Sequence, residues 1–261
     1  MVLGGDYFGG VNEYSFKDKV SMKLLNDLID RLKNIAPVIM VLGNHDLSIK
    51  EDLELRSLFK KLKRKNVYPL DNESIEFDDI RFSGFYPIRK AYAISHITNK
   101  KVNMIIDDWN KYNLEINKDK FNILCHHIPY TIFDKRVQEK ASTIYDYDLI
   151  LSGHAHNGWL SPKQEDKLNK RIDKKLKDIT DEDERKIIND KRYGGFCESI
   201  SNKPPFRRKY CRGIHEINNT KLIISKGITS GLKVVLKKRT LISTNSNYAY
   251  ITIINIGGDN K

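Results

Sequence analysis

Four short polar clusters mark this chain, because each follows an apolar run of strand length. Asp6 follows Val2-Leu3-Gly4-Gly5, and Asn44, His45 and Asp46 follow Val38-Ile39-Met40-Val41-Leu42-Gly43. His126 and His127 follow Phe121-Asn122-Ile123-Leu124-Cys125, and His154 and His156 follow Leu149-Ile150-Leu151-Ser152-Gly153. Five of the seven histidines lie in these clusters. Neutral imidazoles, carboxylates and an Asn carbonyl suit borderline divalent ions such as Mn, Fe, Co or Zn. An Asp can also bridge two ions, as a dinuclear site requires. Singly, each cluster has a plainer reading. Gly, Asn and Asp are turn residues, His126-His127 could be one core and one surface histidine, and His154 and His156 share a side only if that segment is extended. Their recurrence at four strand ends points to one site, since open α/β folds bind ligands at the carboxyl ends of their strands.

The elements that must position these clusters follow from periodicity. Lys17 to Asn34 carries Val20, Leu24, Leu25, Leu28, Leu32 and Ile35 at helical spacing, and Pro37 ends it. A strand, a helix and the strand Val38–Leu42 make a β-loop-α-β unit, hence a parallel pair. A second helix is expected over Leu53 to Lys65, short strands over 67–70, 74–77 and 80–85, and a third helix over 98–117. The strands 121–125 and 149–152 follow, with a shorter helical piece from Thr131 between them. Later strands are expected at 213–217, 221–225, 232–236 and 248–256. Residues 162–208 shift to dense charge and Gly/Pro-rich loop, and form an insertion or lid within a single domain spanning 1–261.

Composition narrows the classes. A net charge of +12, from 46 Lys and Arg against 34 Asp and Glu, favours anionic partners. No basic run is interleaved with aromatics, so a nucleic-acid platform is possible but not favoured. Three widely spaced cysteines exclude a disulfide framework or a zinc ribbon and fit a reducing compartment. No stretch reaches the about 18 apolar residues of a membrane span, so the chain as it stands is expected in the cytoplasm.

In this order, Gly5-Asp6, Gly43-Asn44-His45-Asp46, His127 and Gly153-His154-Ala155-His156 resemble the calcineurin-like metallophosphoesterases, over Val2 to about Gly158. The tail Ile224–Gly231 is similar to the end of that family's bacterial branch. The resemblance implies an α/β (α+β) fold, two packed β-sheets flanked by helices, with a two-metal site at the strand ends. It implies that Asp6 bridges two divalent ions, that Asn44, His127 and His154 complete one, and that His156 serves the other. His45 would stabilise the transition state or protonate the leaving oxygen, and Asp46 would orient its ring. A metal-bridging hydroxide would attack phosphorus. His127 rather than His126 is the expected ligand, because the family places it two residues before the proline; His126 is expected to pack behind it.

The sequence departs from the family in three ways. The family's earlier Asp-x-His motif is absent before Gly4-Gly5-Asp6, so a first β-α unit is expected to be missing, with one metal site incomplete. Asn157-Gly158-Trp159 replaces the usual two glycines and glutamine, and Trp159 is expected to anchor its loop. The charged insertion is the third. The expected function is hydrolysis of a phosphomonoester or phosphodiester on a phosphorylated small molecule or phospholipid-type substrate. The alternatives are a nuclease of the same fold, or an impaired fragment acting as a binding module. Membrane association would require an N-terminal segment beyond this sequence, and the composition leaves the oligomeric state open.

Overall fold

The structure, a computed structural model, describes residues 1–8, 15–48, 50–88, 99–154, 213–225, 231–236 and 239–244, with scattered positions between 166 and 185. The elements are β1 (Val2–Leu3), α1 (Lys19–Leu32), β2 (Val38–Met40), α2 (Asp52–Lys60), β3 (Val67–Pro69), β4 (Glu73–Phe77), β5 (Ile80–Gly84) and α3 (Asn99–Tyr112). They continue with β6 (Phe121–Cys125), α4 (Lys135–Lys140), β7 (Leu149–Ser152), β8 (Gly213–Ile217), β9 (Thr220–Ile224), β10 (Gly231–Leu236) and β11 (Arg239–Thr244). Single 3-10 turns occupy Pro129–Thr131 and Ser142–Asp146.

Two sheets carry the site. The first has the order β1-β2-β3 and is parallel throughout; the second has the order β4-β5-β6-β7-β9-β8. In the second sheet β5, β6, β7 and β9 run parallel, with antiparallel strands at both edges. Side chains alternate across a strand, and here each face finds its own layer. Ile39 and Val41 from the first sheet meet Ile123, Cys125 and Leu149 from the second in one apolar layer. The residues between them, Val38, Met40, Leu124 and Ile150, join a larger layer with Leu25 and Ile29 of α1, Phe59 of α2 and Trp109 of α3. The chain is thus an α/β protein of two packed sheets flanked by helices. Among the described residues no helix is long and apolar enough to cross a membrane.

α1 opens where the Asp18 carboxylate accepts the Ser21 N–H at 2.6 Å, which satisfies one of the amides a helix start leaves orphaned. Its burial differs from the expectation. Leu25 and Ile29 are core, but Val20, Leu24 and Leu28 are 66%, 65% and 44% exposed. Positions 20, 24 and 28 form a ridge on one flank of the helix, whereas the core takes the turn of the face centred on 25 and 29. Leu24→Ala is therefore expected to change stability by less than about 0.5 kcal/mol. Ile29→Val should cost about 1 kcal/mol. Urea melts of the two variants check the contrast.

α2 is tied to the sheet by Arg56, whose guanidinium meets Asp71 just past β3 and Asp52 at 3.2 Å, and donates to the Pro87 carbonyl at 2.9 Å. The antiparallel hairpin β10-β11 contains a strand that periodicity did not reveal, because Lys237-Lys238 lacks the Gly, Asn or Asp that signals a tight turn. Trp159, the expected strand 248–256 and most of the 162–208 insertion lie outside the described residues.

Candidate metal centre

All four polar clusters stand at the carboxyl ends of parallel strands, two from each sheet: β1 and β2 from the first, β6 and β7 from the second. The end of β1 makes a sharp bend. Gly5 has φ +91° and Asp6 has φ +58°, so the chain enters the left-handed region for two residues and cannot continue the ladder with β2. For Asp this region is uncommon but tolerated. His154, after β7, also adopts a left-handed φ of +65°. Left-handed non-glycine residues cluster where geometry serves function.

The bend brings the β1 loop onto the β2 loop. A Cβ on Gly43 would lie 2.2 Å from Asp6 Oδ1, and one on Gly5 would lie 2.5 Å from the Gly43 nitrogen. Two glycines in contact are what allow the loops to cross. The crossing is then fastened by Asp46, which is fully buried. Its Oδ2 accepts the N–H groups of Gly43 at 2.7 Å and Asp6 at 2.8 Å, and its Oδ1 accepts the Tyr7 N–H at 2.7 Å. Asp46 thus has a task on the backbone, setting Asp6 and Tyr7 against Gly43. Burial and the charge of Asp6 push its pKa up, against the pull of these donors.

Asp6 Oδ1 accepts the His45 N–H at 2.8 Å. Its Oδ2 faces His127 Nε2 at 3.1 Å. Burial would raise the Asp6 carboxyl, but His127 and His45 hold it well below the ordinary range. His127 is itself oriented across the sheets, its Nδ1 lying 2.5 Å from the Gly4 carbonyl. A carbonyl only accepts, so Nδ1 carries the proton and Nε2 presents a lone pair toward Asp6. Two acceptors 3.1 Å apart require a cation between or beside them, either a proton or a metal. Burial lowers His127, yet Asp6 raises it overall.

Candidate ligand atoms of Asp6, His127 and His154 all lie within 4.8 Å of one another, and the His127 and His154 rings are 5.3 Å apart. Asp6 Oδ2 and His127 Nε2 are buried and have only each other, and Asn44 Oδ1 is a buried atom with no hydrogen bond. Buried polar atoms are normally satisfied; such acceptors at the strand ends fit a divalent metal ion. His45 is exposed. His156 lies outside the described residues.

His126 points to the other face of β6. Its Nδ1 is 3.1 Å from the Phe85 carbonyl and its Nε2 is 2.6 Å from Thr131 Oγ1. Burial pulls its pKa down to about 4, so it is a neutral packing residue. Ser152 Oγ donates to the His126 carbonyl at 2.5 Å and the Gly153 N–H donates to the His127 carbonyl at 3.0 Å. These bonds lock the ends of β6 and β7 together. Two contributors had escaped the sequence reading, the Gly4 carbonyl and Ser152. A backbone carbonyl has no residue-type signal, and a serine after a strand is unremarkable.

The calcineurin-like phosphoesterase family profile matches residues 1–158, a span that begins before Asp6 and ends beyond His156. No curated protein sequence matches the chain significantly.

Proposed function

The chain belongs to the calcineurin-like phosphoesterase family, and we propose that it hydrolyses a phosphate ester at the strand-end centre, with two divalent ions as cofactor. The family domain is that of a metal-dependent phosphoesterase. The observation that carries the reading is the group Asp6, His127 and His154, whose ligand atoms converge from the ends of two sheets, with the buried Asn44 Oδ1 making no hydrogen bond at the end of β2. In this reading Asp6, Asn44, His127 and His154 would hold the first ion, and Asp6 and His156 would supply only part of the second ion's set. The bound ions supply Lewis-acid chemistry: activation of a water nucleophile and neutralisation of charge on the phosphoryl oxygens.

The chain's own residues do the rest. The Gly4 carbonyl holds the Nδ1 proton of His127, which keeps Nε2 as a donor of its lone pair. Asp46 is a positioning residue: through three backbone N–H groups it sets Asp6 against Gly43. His45 has its backbone fixed beside Asp6 while the residue is exposed, a placement that suits proton donation to a departing alkoxide. The substrate is a phosphorylated small molecule or a phospholipid-type phosphate ester.

The test is hydrolysis of bis(p-nitrophenyl) phosphate by protein stripped with a chelator and then reloaded. Activity should vanish on stripping and return with Mn²⁺, Co²⁺ or Zn²⁺. His45→Ala should keep its metal and lose about 10²-fold in kcat, with a greater loss for alkyl esters, whose leaving oxygens need the proton more. An undiminished rate in the stripped protein would overturn the reading. Cleavage of DNA with a steep salt dependence would instead move the substrate class to nucleic acid.

A further inference from the structure

We infer that Tyr7 is a positioning residue for the metal centre, its phenol stapling the glycine-rich loop that carries Asp6. The inference deepens the proposed function and rests on it.

The β1–β2 ladder has its last bond where the Val41 N–H reaches the Leu3 carbonyl at 3.1 Å. Beyond that point the chain runs Gly4-Gly5-Asp6, with Gly5 and Asp6 left-handed. Glycines lose more conformational freedom on ordering than any other residue, so this loop needs fastening if Asp6 is to hold one place. Tyr7 supplies it at both ends of the residue. Its N–H is held by Asp46 Oδ1 at 2.7 Å. Its hydroxyl turns back over the loop and donates to the Val41 carbonyl at 2.8 Å, sharing with the Leu3 carbonyl at 3.1 Å. Leu3 to Tyr7 therefore forms a closed ring, with Asp6 and Gly4 inside it.

Both atoms inside the ring act on the centre. Asp6 presents Oδ2 to His127 Nε2, and the Gly4 carbonyl fixes the His127 Nδ1 proton. Opening the ring would loosen the carboxylate and its histidine partner together. The aromatic body of Tyr7 packs against Phe16 and Phe59, with centroids at 6.5 Å and 6.4 Å. Phenylalanine can keep that packing, so Tyr7→Phe isolates the hydroxyl.

A buried tyrosine elsewhere supplies the comparison. Tyr147 donates its hydroxyl to the Leu114 carbonyl at 2.8 Å, a bond of the same kind at the opposite end of β7 from His154. Tyr7→Phe, Tyr147→Phe and Asp6→Asn are to be compared as Co²⁺-loaded and stripped proteins. Co²⁺ affinity is read by chelator competition, ligand geometry by the visible absorption bands, and folding by the melt of the stripped protein. Tyr7→Phe is expected to melt cooperatively, to bind Co²⁺ about 10-fold more weakly with shifted bands, and to lose kcat at an unchanged KM. Tyr147→Phe should lose a similar amount of stability while keeping affinity and spectrum. Tyr7→Phe affinity and bands matching those of the unsubstituted protein would overturn the inference, as would equal weakening by Tyr147→Phe. Amide exchange on the unsubstituted protein checks the staple without any variant. The Asp6 and Tyr7 amides should exchange as slowly as those of β2, and fast exchange there would overturn it. Asp6→Asn tests the underlying reading separately: if that variant binds Co²⁺ undiminished, the metal centre itself is misassigned, whatever Tyr7 does.

Discussion

Asp6→Asn is expected to lower kcat/KM by about 10³-fold or more while the protein stays folded. The substitution keeps the shape of the side chain. The amide oxygen can still accept the His45 N–H that Oδ1 now takes at 2.8 Å. The other end changes sign: an NH₂ group replaces Oδ2 and faces the lone pair of His127 Nε2, 3.1 Å away. It can donate there, so the stripped variant exchanges the Asp6–His127 ion pair for a neutral hydrogen bond and should still melt cooperatively, with at most a modest loss against the stripped parent. What it loses is the cation site. A metal binding the folded state alone stabilises it by about 2.7 kcal/mol at a hundredfold excess over Kd, and that metal-dependent rise in melting temperature should disappear. Elemental analysis and paired melts with and without metal check this. A variant that retains metal and activity would remove Asp6 from the centre.

Gly43→Ala should be almost as damaging, for a steric reason. The added Cβ would lie 2.2 Å from Asp6 Oδ1 and 2.3 Å from the Asp6 nitrogen. One of those atoms is backbone, held by Asp46 at 2.8 Å, so relief requires the β1 and β2 loops to separate. We expect a loss of about 3 kcal/mol in stability together with failure to retain metal, because Asp6 and Asn44 move apart. Gly153→Ala is the comparison. It too adjoins a candidate ligand, His154, but its added Cβ would meet nothing closer than His127 Nδ1 at 3.6 Å, an ordinary contact. That variant should be within about 0.5 kcal/mol of the parent and keep its metal. The same one-carbon addition thus separates the glycine that permits a loop crossing from the one that merely precedes a histidine. Denaturant midpoints and metal content read both.

The sequence by itself determined the parts that depend on residue type and on local periodicity. Mostly apolar runs announced β2, β6 and β7, and the polar residues that follow them were of the kinds that hold metals. The four strand-end clusters could be named as candidates because such side chains rarely follow four strands in one chain, and the family resemblance then implied Asp6, Asn44, His127, His154 and His156 as the ligands. Helix α1 was equally plain as a helix.

What only the tertiary structure decided is how those parts face one another. Periodicity cannot say which flank of α1 meets the sheet, so Val20, Leu24 and Leu28 were expected in the core and lie at the surface. Adjacency suggested that Asp46 serves His45; the left-handed bend at Gly5-Asp6 gives it a further task, carrying distant backbone N–H groups to its carboxylate. Arg56 and Asp71 meet across 15 positions, and His127 meets the Gly4 carbonyl across 123. In each case the partner is a backbone group or a residue far along the chain; the packing of the two sheets supplies the His127 contact, and the docking of α2 and the crossing of the β1 and β2 loops supply the others. Residue type selects what a strand end can do; the crossing of the β1 and β2 loops selects which atom each side chain reaches.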